Sequence, residues 1–300
     1  MVNRAYEKQF RLLLDVLPEV AKESCFALHG GTAINLFVLD MPRLSVDIDL
    51  TYVPIESRLP SLQHVGEALE RIKRTIEATI PQVRVSHKQD IGKLLVSRQE
   101  SSIKIEVNLI MRGTLSAPVK CQLCERAQSE FDAFADIAIV PLGQLYGGRI
   151  CAALDRQHPR DLFDMKYLLA NVGFSDEVKR GFLLCLLSSD RPVNEVIAPN
   201  FQDQRSALYN QFAGMTNQAF TYNDYEVVRT TLVQTIRESL TEEDKRFLLS
   251  VNDLKPDWSV YDFELFPAVQ WKLRNLKALK ETNPNKHRKQ YEDLEAKLYQ

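Results

Sequence analysis

Two aspartates, Asp47 and Asp49, stand two residues apart in the run 44–51 (LSVDIDLT), where apolar and polar residues alternate. Side chains two apart on a pleated strand leave the same face, so both carboxylates project together while Leu44, Val46, Ile48 and Leu50 point the other way. A second alternating run, 102–110, puts Ile103, Ile105, Val107 and Leu109 on one face and Lys104, Glu106 and Asn108 on the opposite one. If the two strands are neighbours in one sheet, Asp47, Asp49 and Glu106 converge into a set of hard oxygen ligands suited to Mg²⁺ or Mn²⁺, ions that also take water and substrate phosphates. Such a pair of ions can activate an attacking hydroxyl and steady a leaving pyrophosphate. A lone D-x-D is more often an acidic patch on a solvated strand, so this chemistry needs support from its surroundings.

Support comes from residues 26–33 (FALHGGTA), a short apolar strand that ends in Gly30-Gly31 and turns at once into a helix with Thr32 as its cap. Backbone N–H groups and the helix dipole at such a turn favour phosphate, and two glycines let it approach closely. Alone, a Gly-Gly turn capped by Thr is commonly structural. Followed by D-x-D on the next strand, it points to a triphosphate held beside metal ions. Lys93 opens a strand of the same region and is a secondary candidate for touching the nucleotide, although lysine at a strand end is more often plain surface.

These side chains need a scaffold, and the pattern predicts one. Residues 4–22 have helical spacing (Phe10, Leu13, Leu14, Leu17), Cys25 to Leu28 reads as a strand, Thr32 to Leu39 as a helix, 44–51 as the acidic strand, and Leu69 to Ile80 as a helix. Three more strands, Gln82 to His87, Lys93 to Arg98 and Ser102 to Ile110, are separated by turn residues Asp90, Gly92 and Glu100-Ser101 and form an antiparallel meander. From Leu142 the chain turns helical: LGQLYGGRICAALDR, then PRDLFDMKYLLA, which opens on Pro159 and ends near Gly173. The expected fold is therefore α/β with a mixed sheet over 1–173, followed by a helical domain over 174–300, where no strand pair is evident.

A chain of 300 residues that is 45% hydrophobic and 26% charged is long enough for two cores. Its net charge of −2 rules out affinity for nucleic acid through overall charge. Residues 271–289 are locally basic, with Lys272, Arg274, Lys277, Lys280, Lys286, Arg288 and Lys289 against Glu281 alone. With Trp271 for stacking, Lys272, Arg274, Lys277 and Lys280 could grip RNA; a solvated basic helix explains them equally well. The five cysteines (Cys25, Cys121, Cys124, Cys151, Cys185) are odd in number, and Cys121-x-x-Cys124 lacks a second pair, so buried thiols in a reducing cytosol are expected. The N-terminus is charged throughout and no apolar run approaches the roughly 18 residues of a membrane span, which places the chain in the cytoplasm with no membrane partner.

The blocks HGGTAINLF, RLSVDIDL, KIEVNLIMRG and LDRQHPRDLFD, in that order, resemble the AbiEii-type nucleotidyltransferase toxins of type IV toxin–antitoxin pairs, relatives of the polymerase-β nucleotidyltransferase fold. The resemblance is densest over 26–170, and FLLSV and AVQWKLRNL resemble that family's helical C-terminal part. It implies Gly30, Gly31 and Thr32 around the triphosphate, Ser45 with Asp47 and Asp49 at the metals, and Glu106 as a third carboxylate. The family's lysine aligns with Arg149, and its next aspartate with Asp161 or Asp164. Arginine can clamp phosphate bidentately but does not give up a proton, so the resemblance carries over phosphate binding and not proton transfer. Arg149 and Arg156, seven apart, share one helical face. Asp161 falls in a first helical turn, where it could simply complement the helix dipole; Asp164, one turn later, is the better catalytic candidate, with an i, i+4 pair to Arg160 as its structural alternative.

The implied reaction takes an NTP with Mg²⁺ and transfers NMP to an acceptor hydroxyl, a tRNA 3′ end by resemblance, in a cleft between the two domains; a cognate antitoxin is the implied partner. Two other classes compete: transfer to a protein or small-molecule hydroxyl, and a catalytically silent nucleotide- or RNA-binding module. Intact Asp47, Asp49 and Glu106 argue against the silent module, while Arg149 in place of lysine keeps it open.

Overall fold

The spacing of Phe10, Leu13, Leu14 and Leu17 produces the first helix, α1 (Arg4–Val20), of a computed structural model that describes residues 4–300. The chain continues through β1 (Phe26–His29), α2 (Gly30–Ala33) prolonged by a π-helical turn at Ile34–Val38, β2 (Asp47–Tyr52), α3 (Arg58–Thr79), β3 (Arg84–Lys88), β4 (Lys93–Arg98) and β5 (Ser101–Val107). Then come β6 (Val119–Gln122), α4 (Glu125–Phe131) and β7 (Asp136–Ile139). All the strands belong to one seven-stranded sheet in the order β3-β4-β5-β2-β1-β7-β6. β2 runs parallel to β5 and β1 to β7, with antiparallel pairing elsewhere, so the sheet is mixed.

The alternation that predicted the acidic strand also secures it. Leu28, Ile48, Leu50, Ile105 and Val107 are buried, and α1 and α3 bury Leu13, Leu17, Ile72 and Ile76 in the same core. Each such side chain contributes about 2 kcal/mol, and a slip of one residue would move the whole set to the wrong face. β3, β4 and β5 are the expected meander, and β2 and β5 are the expected neighbours.

Boundaries differ where something other than periodicity decides them. β2 starts at Asp47, not Leu44, because the Leu44 N–H donates to the Met215 carbonyl (2.7 Å) instead of to a strand. β5 stops at Val107, since Asn108 Oδ1 accepts from the Ile110 and Met111 N–H groups (3.0 and 2.9 Å) and folds the chain into a turn. α3 begins at Arg58 instead of near Leu69; its first turns bury only Ser61, Val65 and Ala68, small residues that leave little hydrophobic period to read. β6, α4 and β7 are additions to the expected elements, the two strands being four residues each.

The remaining elements are helices: α5 (Leu142–Asp155), α6 (Pro159–Tyr167) with a π-helical turn at Leu168–Val172, α7 (Asp176–Ser188), α8 (Val193–Ile197), α9 (Arg205–Ala207), α10 (Tyr222–Ser239), α11 (Glu242–Asn252), α12 (Pro267–Thr282) and α13 (Pro284–Leu298). The chain divides into two compact units: residues up to Pro141 with Tyr209–Ala219, and Leu142–Leu208 with Phe220–Gln300. α5 and α6 thus group with the helices that follow them, and residue 173 lies inside the second unit.

Close helix packing explains that grouping. A Cβ on Gly181 of α7 would lie 2.6 Å from the backbone nitrogen of Gln144 and nearer still to the Gly143 carbonyl of α5, and a Cβ on Gly147 would strike the Gly181 backbone. Since backbone on both sides must shift to admit a methyl group, Gly181→Ala is expected to lower stability by at least about 2 kcal/mol. A urea midpoint equal to wild type would show that the helices separate without cost.

Candidate active site

Strand register lines up His29 of β1, Asp49 of β2, Glu106 of β5 and Lys93 of β4 in one row across the sheet. Directly opposed residues share a face, so the four side chains leave the sheet together. Asp47 stands one step along on the same face, opposite Lys104. Lys93 forms an ion pair with Glu106 Oε1, the two side chains being 25% and 41% exposed. Lys93 therefore has a carboxylate partner next to it, and Glu106 carries a neutralising charge. His29 was not singled out in the sequence; its place directly before the glycine pair is the signal that marks it.

The strand-to-helix turn brings backbone against this row. His29 is extended (φ −142°, ψ −179°) and Gly30 is left-handed (φ +75°). A Cβ at Gly30 would stand 2.5 Å from Asp49 Oδ2 and 3.3 Å from Asp49 Cβ, so both the φ and the space demand glycine. The helix starts at Gly30 with His29 at the N-cap and no side chain capping it, which puts Thr32 in the first turn and corrects its expected capping role. Buried Thr32 donates from Oγ1 to the Asp47 carbonyl (2.5 Å) and lies 2.9 Å from Ser45 Oγ. Thr32 and Ser45 thereby fasten the backbone of the aspartate strand to the turn. Asn35 Nδ2 donates to the Gly31 carbonyl (2.9 Å) from one turn further on.

Among the described residues, no three Asp, Glu, His or Cys side chains already form an ion-holding group. The donor set still fits a hard cation: Asp47 and Asp49 share a face, Glu106 is the cross-strand neighbour of Asp49, and all three offer oxygen. Asp47 and Asp49 are the principal candidates, because Glu106 is shared with Lys93.

Comparison with known proteins decides what this arrangement belongs to. Residues 11–275 match the family described as "Nucleotidyl transferase AbiEii toxin, Type IV TA system". The chain belongs to this family of nucleotidyltransferase toxins. The matched span contains the whole acidic row, the glycine turn and most of the helical unit. Among solved structures, the fold is similar to that of MenT4, a nucleotidyltransferase toxin of Mycobacterium tuberculosis H37Rv, with a TM-score of 0.62 and 13% identity over 91% of this chain and 97% of that one. No curated protein matches the sequence. No helix among the described residues is long and apolar enough to cross a membrane.

In this AbiEii protein, the residues aligned with the family's lysine and aspartate meet inside the helical unit. Arg149 of α5 is 6% exposed and pairs with Asp161 (2.7 Å) and with Asp164, both fully buried on α6. Arg156 adds a two-pronged bond to Asp161 (2.5 and 2.9 Å), so the seven-residue spacing does put both arginines on one face, facing α6. The guanidinium of Arg149 is engaged by both carboxylates in a buried ion-pair network. His158 caps α6 by accepting from the Arg160 N–H at Nδ1 (3.2 Å).

Burial alone would raise the Asp161 carboxyl, but Arg149 and Arg156 override it and hold it down to about 2. A folded value below the unfolded one of about 3.9 means that this carboxylate stabilises fully above pH 4, and that the contribution is lost as pH falls toward 2. Between pH 5 and pH 2.5 the urea midpoint of wild type should therefore fall more steeply than that of Asp161→Asn; parallel curves would separate Asp161 from the acid sensitivity.

The basic helix divides. Lys272 of α12 is 7% exposed and its ammonium donates to the Arg191 carbonyl (2.6 Å), while burial pushes its pKa down to about 8. That corrects its expected role in gripping RNA from the surface. Arg274 and Lys277 are exposed on the same helix, and Lys280 pairs with Asp253 (3.7 Å).

Proposed function

We propose that the enzyme transfers a nucleoside monophosphate from an NTP to the 3′ hydroxyl of a tRNA, with Asp47 and Asp49 holding Mg²⁺. The observation that carries this reading is the row His29–Asp49–Glu106–Lys93 set against the left-handed glycine turn. A divalent cation on those aspartates supplies charge neutralisation for the triphosphate and acidifies the acceptor hydroxyl. The N–H groups of the first turn at Gly30 and Gly31 hold phosphate oxygens, and Ser45 and Thr32 keep Asp47 in register with that turn. The acceptor oxygen attacks the α-phosphorus, the bond to the β-phosphate's bridging oxygen breaks, and pyrophosphate leaves. Glu106, with Lys93 on Oε1, receives the hydroxyl proton at Oε2.

The tRNA acceptor rests on the family resemblance and on the exposed cations Arg274 and Lys277. Membership of a type IV toxin–antitoxin family supports a cognate antitoxin and a cytoplasmic location. The test is incubation of the protein with total tRNA, Mg²⁺ and each α-³²P-labelled NTP in turn, beside Asp47→Ala, resolved on denaturing gels. Label on tRNA that disappears in the variant bears out the reading and names the base. Label on protein, or none with any NTP, moves the acceptor elsewhere.

A further inference from the structure

A cavity of about 130 Å³ lies within the helical unit, lined by the segment around Asp190, by α11, by α12 and by α13. Val193, Leu248, Val251, Leu276 and Leu279 give it one aliphatic wall. The rest of the lining is polar apart from Pro192: Asp190, Asn252, Lys272, Asn275 and Gln290. Lys272 brings a buried ammonium with three N–H donors, one of which goes to the Arg191 carbonyl (2.6 Å). Asn252 is 4% exposed, and its Oδ1 has no hydrogen-bond partner, although its backbone carbonyl pairs with His287 Nε2 (3.0 Å). Asp190, whose charge reaches Lys272, adds a carboxylate.

A buried cation with donors to spare and a buried acceptor without a donor are each costly, by about 1–3 kcal/mol for the amide oxygen alone. One small molecule resolves both if it offers an anion to Lys272 and an N–H donor to Asn252 while covering the aliphatic wall. A neutral apolar guest would leave both polar groups unmet, and a simple carboxylate would leave Asn252 unmet. We propose that this cavity is a binding site for a free α-amino acid with a short aliphatic side chain, its carboxylate on Lys272, its ammonium on Asn252 Oδ1 and Asp190, and its side chain against Val193, Val251 and Leu276. A site of this kind ties α11, α12 and α13 to the segment before α8 and makes the helical unit's stability respond to amino-acid supply, independently of the chemistry on the sheet.

The experiment is calorimetry and thermal melting of the full-length protein with L-leucine and L-valine, beside 4-methylpentanoate, which lacks the amine, and 3-methylbutylamine, which lacks the carboxylate. At least one amino acid should bind saturably and raise Tm by about 3 °C at a hundredfold excess over Kd, and each analogue should bind at least about tenfold more weakly. Lys272→Met, similar in length and uncharged, should abolish the calorimetric signal, and Asp190→Asn, at an exposed position that leaves folding intact, should weaken it about tenfold. Absence of saturable binding of either amino acid at about 10 mM overturns the assignment. So does equal affinity for 4-methylpentanoate, or wild-type affinity in the folded variants.

Discussion

Asp49→Asn is expected to slow nucleotidyl transfer about a hundred- to a thousandfold while leaving the urea midpoint unchanged within error. Asparagine keeps the shape of the side chain beside Gly30, where a Cβ would come within 2.5 Å of Asp49 Oδ2, so the turn has no reason to move. What disappears is the negative charge, and with it the ability to hold a hard cation against a triphosphate; losing one preorganised electrostatic contact of that kind commonly costs a hundred- to a thousandfold in rate. Ile48 and Leu50, which anchor the strand, are untouched. Glu106→Gln should cost less, because Glu106 is already partly neutralised by Lys93. Single-turnover label transfer to tRNA reads both variants; a loss under tenfold in Asp49→Asn would move the catalytic centre off this row.

The same row shows what a sequence can disclose. The common face of Asp47 and Asp49 follows from a period of two, and the burial of Ile48 and Leu50 agrees with it. That Glu106 stands beside Asp49 and not one step away depends on the register between β2 and β5, which are separated by α3, β3 and β4, and no local pattern encodes that distance. β6 and β7 escape notice because four residues hold too few alternations to rise above chance. Thr32 reads as a cap by residue type, yet the left-handed conformation of Gly30 starts the helix two residues earlier and turns the hydroxyl onto the aspartate strand. Gly143, Gly147 and Gly181 look like loose helix positions until the approach of α5 and α7 shows that nothing larger fits.

Arg149 has two accounts, a phosphate clamp by resemblance and a buried counter-charge by its ion pairs, and one variant distinguishes them. As a surface phosphate clamp, Arg149→Met would raise KM for NTP and leave stability alone. As the cation between two fully buried carboxylates, the same change takes a buried counter-charge from both Asp161 and Asp164, and the expected loss is about 3–5 kcal/mol, seen as a large fall in the urea midpoint at pH 7. Arg156 keeps hold of Asp161 in the variant. Arg149→Lys should fall between wild type and Met: a compact ammonium keeps the charge but lacks the planar fork that reaches both carboxylates together. If Arg149→Met instead keeps its midpoint and loses only affinity for NTP, the guanidinium works on the nucleotide, as the family's lysine position implies.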